Sequence, residues 1–529
     1  MSEMTSLHMC IQAECDKDVD RSEITERIIP ALQGHAESLG IPVTITGEFL
    51  EGDGCLSIGD TVPRLHRQYA NVGTLQSHEV WGYAAQLISR EVAEHIWSQW
   101  YPYRLECLRD AAFMTLLAGA FREVVTLGYR LTRFRDALVT LSPQSSVAEW
   151  HDSLEAVFGT PDSARLRLVV SREIYAQAID GPEPQVAVKW KEVVDFMADG
   201  LFVELGILYP PLQVAIDETL AADQYRCEWN DVLLPARKSI QITEILVNDT
   251  VERLALIGHH GAVETENPAT RQPASILPVE KQEQLKAQGL TTWDLPGYLI
   301  LVLAATVREG PGAFVNVPFT EYSLLTLERS HPELVAASEA RFSKTKLTRI
   351  LRGIATGGVP VNDLPTILTA LVMIQQVIKV DKSPAPILDS LTGVFASAVA
   401  SRIEDLSIDD YVEHIRRSLT RSIGSKFSRN TGTLVVYLLD TEFERKIATA
   451  VNVNREIRRE LIEAIRAETS HLPQTAQMPL LLVSVDSRSR VQEALFPEYR
   501  RMSVLSYGDL DAEMNIQPVA RISPHPARK

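Results

Sequence analysis

Apolar and polar residues follow two spacings along this chain, and the spacings predict strands and helices in a recurring order. Near the N-terminus, Ser6–Ala13 alternates with a period of two, which is typical of a strand. Asp20–Gly40 carries apolar residues at helical spacing and ends on a glycine. Short strands are predicted at Val43–Ile45 and Cys55–Ile58, and Glu79–Leu141 is helical in character. An α/β fold is therefore predicted for the N-terminal part.

The order strand, helix, strand recurs in the next stretch of chain. Arg165–Val170 alternates as a strand, Val186–Leu205 has helical spacing and stops at Gly206, and Leu212–Ile216 is the following strand. Two interpretations stay open. The second unit is a degenerate duplicate of the first, or the two resemble each other only as any two such units do.

The middle of the chain changes character twice. Asp231–Trp293 is rich in proline and glycine and contains short apolar stretches at Ile240–Leu246 and Arg253–Ile257, which favours a small β-containing insert. From Phe319 onward the pattern is helical. The apolar stripe of one predicted helix is Leu347, Ile350, Leu351 and Ile354. Asn362 is predicted to cap the next helix, Ser383-Pro384 to start another, and Ser407 to start one that carries Val412, Ile415, Leu419 and Ile423.

The C-terminal part returns to alternating strands and helices. The predicted elements are a strand at Leu434–Leu439, a helix at Glu442–Glu468, a strand at Pro479–Val485, a helix at Arg488–Leu495 and a strand at Met502–Ser506. Strands that are joined by helices pair in parallel through right-handed crossovers. We therefore expect a parallel sheet here.

Composition and charge narrow the class of protein. The 529 residues are 45% hydrophobic, and 69 acidic against 52 basic residues give a formal net charge of −17, which disfavours a nucleic-acid-coating role. The most apolar stretch, Tyr298–Val307, is too short for a bilayer span, which needs about 20 residues. Met1–Cys15 has neither a basic start nor an apolar core, so no signal peptide is expected. The sequence predicts a soluble, cytoplasmic protein without direct membrane insertion.

The sequence offers no pattern of residues that predicts catalysis or a bound cofactor. The five cysteines are scattered, and this pattern is typical of reduced thiols rather than of disulfides or a metal site. His259-His260 is interpreted as a solvated turn, and Asp409-Asp410 as the charged start of a helix. Glycine-rich phosphate loops, nucleophile elbows and zinc-binding helices are missing from the sequence. No metal, no cofactor and no enzymatic activity are therefore predicted.

Four stretches of sequence carry a resemblance to a known family. They are "ELGILYPPLQVAID" followed by "DQYRCEWND" (Glu204–Asp231), "NPATRQPASIL" (Asn267–Leu277), the run His331–Leu368 that includes "GGVPVNDLPTIL", and "MPLLLVSVDSRSRVQEAL" followed by "MSVLSYGDL" (Met478–Leu510). From about Arg165 to Ser523 the chain resembles the cytoplasmic half of the FHIPEP family, the FlhA/SctV-type export-gate proteins of flagellar and injectisome type III secretion. Pro360, Asp363 and Leu505-Ser506 also match the family, and a generic helical or strand pattern would not require them.

The resemblance implies an α/β multi-domain architecture of the FlhA/SctV cytoplasmic type. Its predicted parts are a ferredoxin-like α/β subdomain (161–231 plus 295–315), a small β-rich insert (232–294), a helical subdomain (316–424) and a C-terminal α/β subdomain (425–529). An extra α/β domain (1–160) precedes them and stands where family members carry membrane helices, so export gating is not carried over.

The resemblance also implies a partner-binding groove between the insert and the neighbouring helix, where chaperone–cargo complexes dock. Asn267, Thr270 and Leu301 fall in it, and Tyr298 extends an apolar floor. The family has an acid at the first of these positions and a large apolar or aromatic residue near the second, so the same ligands need not bind. The alternative is that Leu299 and Leu301 are simply core and Asn267 is an ordinary surface turn.

The resemblance implies a function that depends on protein–protein contact without catalysis. We expect a ring-forming scaffold or docking component of a type III secretion-like apparatus, assembled as a homo-oligomer, with nine copies as in the family. Its other partners would be secretion-apparatus proteins or chaperone–cargo complexes, with peripheral recruitment to an inner-membrane complex. Two alternatives stay open: a monomeric adaptor that has kept the fold, and an enzyme with an unrecognised site.

Overall fold

The structure is a computed structural model of the 529-residue chain. It describes residues 7–14, 25–26, 29–50, 56–58, 64–65, 84–85, 87–159, 165–181, 183–208, 212–269, 273–380, 406–428, 431–449, 455–469, 480–495 and 502–523. The described residues form two compact units. The first contains residues up to Met197 and from 212 to Glu309, and the second contains 198–208 and residues from Gly310 onward.

Helices and strands alternate through most of the chain. The helices are α1 (Ile29–Leu39), α2 (Arg90–Trp100), α3 (Ala111–Thr126), α4 (Arg135–Leu138), α5 (Val147–Phe158), α6 (Arg172–Ile174), α7 (Pro184–Leu205), α8 (Val251–Leu256), α9 (Gln282–Ala287), α10 (Leu295–Glu309), α11 (Val317–Glu328), α12 (Pro332–Glu339), α13 (Lys344–Thr356), α14 (Leu364–Val380), α15 (Ile408–Arg416), α16 (Thr420–Ser428), α17 (Thr441–Thr449), α18 (Arg455–Thr469) and α19 (Val485–Leu495). The strands are β1 (Leu7–Glu14), β2 (Val43–Leu50), β3 (Leu56–Ile58), β4 (Arg64–Leu65), β5 (Leu166–Val170), β6 (Leu212–Ile216), β7 (Gln224–Trp229), β8 (Val232–Leu233), β9 (Arg237–Lys238), β10 (Glu244–Val247), β11 (Val263–Glu266), β12 (Pro273–Pro278), β13 (Thr292–Trp293), β14 (Thr433–Leu439), β15 (Leu480–Val483), β16 (Val504–Ser506) and β17 (Asn515–Ile522).

The first two sheets have the same topology. Their strand orders are β2-β1-β3-β4 and β6-β5-β7-β8, with β9 added on β7. In each, the first two strands are parallel across a helix and the third is antiparallel to the first. The helices α1 and α7 both end on glycines with left-handed backbone angles, Gly40 at φ +71° and Gly206 at φ +72°. This correspondence favours the duplication interpretation, because loop geometry and strand order both repeat.

An aromatic core fills the helical part that follows the first sheet. Trp97, Phe113, Phe121 and Trp150 are almost fully buried. Trp97 meets Phe113 edge-on with ring centroids 4.9 Å apart, and Phe113 meets Trp150 at 5.4 Å. Such edge-to-face pairs stabilise a core beyond the area that they bury. The helices α2, α3 and α5 are capped by polar side chains: Ser146, for example, forms a reciprocal capping box with Glu149 at the start of α5.

The remaining two sheets differ in the relative direction of their strands. The insert sheet, β11-β12-β10-β13, is antiparallel throughout. The C-terminal sheet, β16-β15-β14-β17, is parallel throughout, as predicted from the alternation of strands and helices. The strands β8 and β9 pair with β7, although they lie beyond the predicted subdomain boundary at residue 231. The five predicted domain boundaries themselves stay predictions.

Several predicted elements are confirmed with small shifts, and others are wrong. The stripe Leu347, Ile350, Leu351 and Ile354 is core, since no member is more than 2% exposed. The single helix predicted over Val412–Ile423 is two helices, α15 and α16, and Glu442–Glu468 is divided between α17 and α18. Arg253–Ile257 lies largely in a short helix, α8. The helix predicted from Ser383 falls outside the described residues.

The edge strand β17 was not predicted at all. Pro518 lies in its middle, and a proline within an apolar run argues against a central strand. Pro518 is tolerated here because β17 is an edge strand that pairs with β14 on one side only. The pairing register also shifts at this point: Val436 of β14 pairs with Pro518, and the next residue, Tyr437, pairs with Ala520. The sequence therefore did not predict this strand, because its proline argues against a strand except at the edge of a sheet or at a bulge.

Candidate docking site

The predicted contact residue Asn267 is not on the surface. Its side chain is 1% exposed, its Oδ1 accepts a hydrogen bond from the Ala269 amide at 2.8 Å, and its Nδ2 donates to Asn248 Oδ1 at 3.1 Å. The expectation of an exposed Asn267 is therefore wrong. An asparagine that accepts a bond from the backbone two residues ahead holds a turn, so Asn267 positions this segment. Thr270 lies outside the described residues.

Tyr298 and Leu301 lie on α10, and each remains partly accessible. The Tyr298 hydroxyl donates to the Lys238 carbonyl at 3.4 Å, and its ring meets that of buried Tyr225 edge-on at 6.1 Å. Leu301 is half-buried, whereas its neighbour Leu299 is completely buried. The alternative that both leucines are simply core therefore holds for Leu299 only. Tyr298 and Leu301 are the accessible part of the predicted groove.

The Asn267 turn and α10 line one small cavity. Pro268 contributes to its wall together with Tyr225, Cys227, Thr306 and other residues, and its volume is about 30 Å³. Ligand pockets are usually ~300 Å³ or more, so this cavity is about the size of one water molecule. Burial raises the pKa of the Cys227 thiol to about 12, and it raises the pKa of the Tyr225 phenol well above its usual value. Both groups are neutral at physiological pH, and the thiol is therefore not a nucleophile.

Within the described residues, no group of three or more His, Cys, Asp or Glu side chains could hold a metal ion. In the same part of the chain, no helix combines the length and the apolar character that a membrane crossing requires.

His259, the first residue of the His259-His260 pair, is buried, and its Nε2 lies 2.8 Å from Gln288 Oε1. The interpretation of His259 as part of a solvated turn is therefore wrong, because its ring is packed inside the insert.

Two of the stretches that resemble the family meet in a joint, a contact between residues at the ends of two elements. Gly206 ends α7, and a Cβ atom there would lie 2.2 Å from the Asn362 backbone nitrogen. The Val361 amide donates to the Leu205 carbonyl at 3.0 Å, and Asn362 Nδ2 donates to the Val203 carbonyl at 3.3 Å. Glycine is required at this close approach of two backbones. Two of the motifs therefore form a single contact.

This joint corrects the predicted helix cap. The side chain of Asp363, not Asn362, accepts the capping hydrogen bond at the start of α14, from Thr366 N at 3.3 Å. Asn362 is instead committed to Val203. Asparagine and aspartate are both good caps, so the sequence alone could not decide between neighbours.

A further joint, missed by sequence reasoning, surrounds Asp231. Its carboxylate accepts hydrogen bonds from the Arg130 amide at 2.9 Å, from Arg133 at 2.7 Å and from Arg165 at 3.3 Å. The preceding Asn230 has a left-handed backbone at φ 51° and donates to the Leu127 carbonyl at 2.6 Å. The β7–β8 turn thus holds the helical N-terminal part. The only sequence signal was the pair Asn230-Asp231 at the end of the "DQYRCEWND" stretch.

Replacing Asp231 with alanine is expected to lower the free energy of unfolding by about 2 kcal/mol, because a largely buried carboxylate with charged donors is lost. Urea unfolding followed by tryptophan fluorescence would measure the change. Asp223→Ala is the matched control, since Asp223 makes only a 3.9 Å pair with the exposed Lys238. Equal losses of unfolding free energy in the two variants would contradict a stabilising role for the hydrogen bonds of Asp231.

The comparisons with known proteins identify the class of protein. The FHIPEP family profile matches residues 163–515, and the chain belongs to this family. A curated relative is the low calcium response locus protein D of Yersinia pestis, 25% identical over 331 residues, which are 61% of this chain and 43% of the relative. The matched region thus spans less than half of that protein.

Solved structures show the same fold. The Chlamydia pneumoniae CdsV protein matches with a TM-score of 0.55 and 21% identity, over 68% of this chain and 98% of CdsV. CdsV has also been solved in complex with CdsO, with the same TM-score. The nonameric SctV-C of EPEC matches with a TM-score of 0.50 and 16% identity, over 69% of this chain and 99% of that one. This chain therefore shares the fold of CdsV and SctV-C over about two thirds of its length.

Proposed function

We propose that this protein is a ring-forming scaffold and docking component of a type III secretion-type apparatus, acting in the cytoplasm at an inner-membrane complex. The observation that carries the proposal is the match to nearly the whole of the CdsV chain. An assembly that depends on several faces of a domain needs the whole domain, and the match covers 98% of the CdsV chain. The nonameric SctV-C structure supports a homo-oligomeric ring, and the CdsV–CdsO complex supports binding to other apparatus proteins.

A closed ring needs two different complementary faces on each protomer. We propose that α11 lies in one of them. Tyr322 and Leu325 are three residues apart on its surface and are 56% and 60% exposed. Large exposed side chains at helical spacing bury apolar area well against another protein. The expected partner of this face is a second copy of the chain, as in the nonameric relative.

Leu325→Asp is expected to weaken assembly at least ~10-fold without unfolding the protein, because an exposed position accepts the charge. Sedimentation velocity over a range of protein concentrations would measure the effect. Leu256→Asp is the control, since Leu256 is 85% exposed in the insert. Unchanged assembly of Leu325→Asp would remove α11 from the interface. A wild type that stays monomeric would instead favour the adaptor alternative.

The proposed role involves docking rather than catalysis. Tyr298 and Leu301 form the proposed partner surface. Tyr298→Ala would remove an aromatic contact and a hydrogen bond from this surface, and only a modest change in stability is expected because the ring is partly exposed. The cavity beside it, at about 30 Å³, has no space for a metabolite. These features support protein contact as the basis of function.

A further inference from the structure

Two arginine side chains share one carboxylate oxygen where the helical N-terminal part meets the β7–β8 turn. Arg133 Nη2 lies 2.7 Å and Arg165 Nη2 lies 3.3 Å from Asp231 Oδ1. The other oxygen, Oδ2, accepts a hydrogen bond from the Arg130 backbone amide at 2.9 Å. Both oxygens of the carboxylate are therefore engaged, and two positive charges face one negative charge. We call Arg133, Arg165 and Asp231 the arginine cluster.

Most N–H groups of these two guanidinium groups are available for a further acceptor. A guanidinium group carries several N–H donors. Within the described part of the chain, the side chains of Arg133 and Arg165 each donate one hydrogen bond, to Asp231 in both cases. The two side chains are 27% and 29% exposed, so a small molecule from solvent has access to them. They are also largely withdrawn from water, which strengthens their attraction for an anion.

The arginine cluster keeps an excess of positive charge when its charged neighbours are counted. These neighbours come as one base with one acid: Arg130 with Glu37, Arg135 with Asp136, and Arg167 with Glu228. Among the described residues, neither Arg133 nor Arg165 pairs with an acid other than Asp231. The cluster therefore carries one uncompensated positive charge, in a chain whose formal net charge is −17.

This arrangement selects an oxyanion of the phosphate type. The planar fork of a guanidinium group matches two oxygens of a phosphoryl group, and such charge-assisted hydrogen bonds are about twice as strong as neutral ones. Two guanidinium groups side by side repel each other, and an anion that binds both removes this repulsion. A cation would meet the same excess of positive charge and would be repelled.

We propose that Arg133 and Arg165 bind the phosphoryl group of a small phosphorylated molecule. The ligand would join the helical N-terminal part, which carries Arg133, to the start of β5, which follows Arg165. Asp231 acts as an internal competitor, because its carboxylate oxygen takes donors that a phosphoryl oxygen would otherwise use. The site is separate from α11 and from the Tyr298 surface, so it does not depend on the proposed ring.

The test is isothermal titration calorimetry of the full chain with sodium pyrophosphate, up to about 10 mM. Ionic strength is held constant with sodium chloride, because salt screens charges at a partly exposed site. Inorganic phosphate and ADP are titrated in parallel, and adenosine is the uncharged control. Equal affinity for pyrophosphate and ADP would assign recognition to the phosphoryl groups alone, whereas tighter binding of ADP would assign a nucleotide as their source.

Pyrophosphate is expected to bind the wild type, and Arg133→Gln and Arg165→Gln are each expected to weaken this binding at least ~10-fold. The matched control is Arg167→Gln, since the Arg167 guanidinium already has Glu228 as its counter-ion. This control should change the affinity less than ~2-fold. Asp231→Asn is expected to tighten binding at least ~3-fold, because it removes the competing charge. A cluster with a purely structural role would not produce this gain.

Three results would overturn the proposal. The wild type could fail to bind either pyrophosphate or ADP, the two arginine variants could bind as tightly as the wild type, or Arg167→Gln could lose as much affinity as Arg165→Gln. Circular dichroism and the thermal midpoint without ligand establish that each variant is folded. Arg165→Lys provides a milder variant that keeps the charge and loses the planar fork, and it is expected to weaken binding at least ~3-fold.

Discussion

Leu351→Asp is expected to destabilise the second unit by at least ~3 kcal/mol, because a carboxylate would be buried without a partner. Leu351 is 2% exposed and lies in the apolar stripe of α13 with Ile350 and Ile354, both at 0%. For a unit of this size, such a loss lowers the thermal midpoint by about 6 to 12 °C. Differential scanning calorimetry would measure the shift.

The matched control for this change is Leu256→Asp, which places the same carboxylate at an 85% exposed helical position. It should move the midpoint by no more than a degree or two, since surface substitutions usually stay within ~0.5 kcal/mol. If Leu351→Asp kept the wild-type midpoint, the assignment of this face of α13 to the core would be wrong.

Asp509→Ala is expected to destabilise the second unit by about 3 to 5 kcal/mol, because it leaves a buried guanidinium without its counter-ion. Arg416 and Asp509 are 0% and 1% exposed and form two hydrogen bonds, at 2.9 and 2.8 Å. Asp509 also accepts from the Ser506 amide at 2.7 Å. Burial and the nearby Arg488 lower the pKa of Arg416, but arginine stays charged at physiological pH.

A neighbouring acid provides the control for Asp509→Ala. Asp511 makes a 3.9 Å pair with Arg421, which is 94% exposed, so Asp511→Ala should have little effect. Chemical denaturation of both variants, with the midpoint and the slope recorded, distinguishes a lost pair from a general loosening. Comparable midpoints for the two variants would contradict the assigned importance of the buried pair.

The pair Arg416–Asp509 also explains one of the motifs on which the family resemblance depended. The "MSVLSYGDL" stretch carries an acid at position 509, one residue before its end, and the sequence showed only that an acid stood there. Its partner is 93 residues earlier, in α15. Periodicity detects neighbours on one helix or strand, so it cannot find a contact between residues so far apart in sequence.

Local patterns predicted the elements whose residues depend mainly on their own neighbours. The stripe of α13 was predicted correctly, because burial on one face imposes a period on the sequence. The strand Leu212–Ile216 was also predicted with its observed bounds. The cap at Asn362 and the exposure of Asn267 were predicted wrongly. In each case the side chain is committed to a residue that is distant in sequence, Val203 in one case and Asn248 in the other.

The candidate site was only partly predictable. The sequence and the resemblance pointed to Tyr298 and Leu301, which lie on the accessible side of α10. They could not show that the Asn267 turn and α10 line one small cavity, nor that Asp231 holds the N-terminal helices. Those roles come from contacts between separate elements, and no single stretch of sequence encodes them.

The central claim is that the protein acts as an assembled ring, and the mass of the full chain in solution tests it most directly. Acidic subunits repel each other, so salt should promote assembly. Multi-angle light scattering at tens of micromolar protein and rising salt is expected to show nine copies of 58.9 kDa, about 530 kDa. A mass of 58.9 kDa under every condition would contradict the ring and leave a monomeric adaptor.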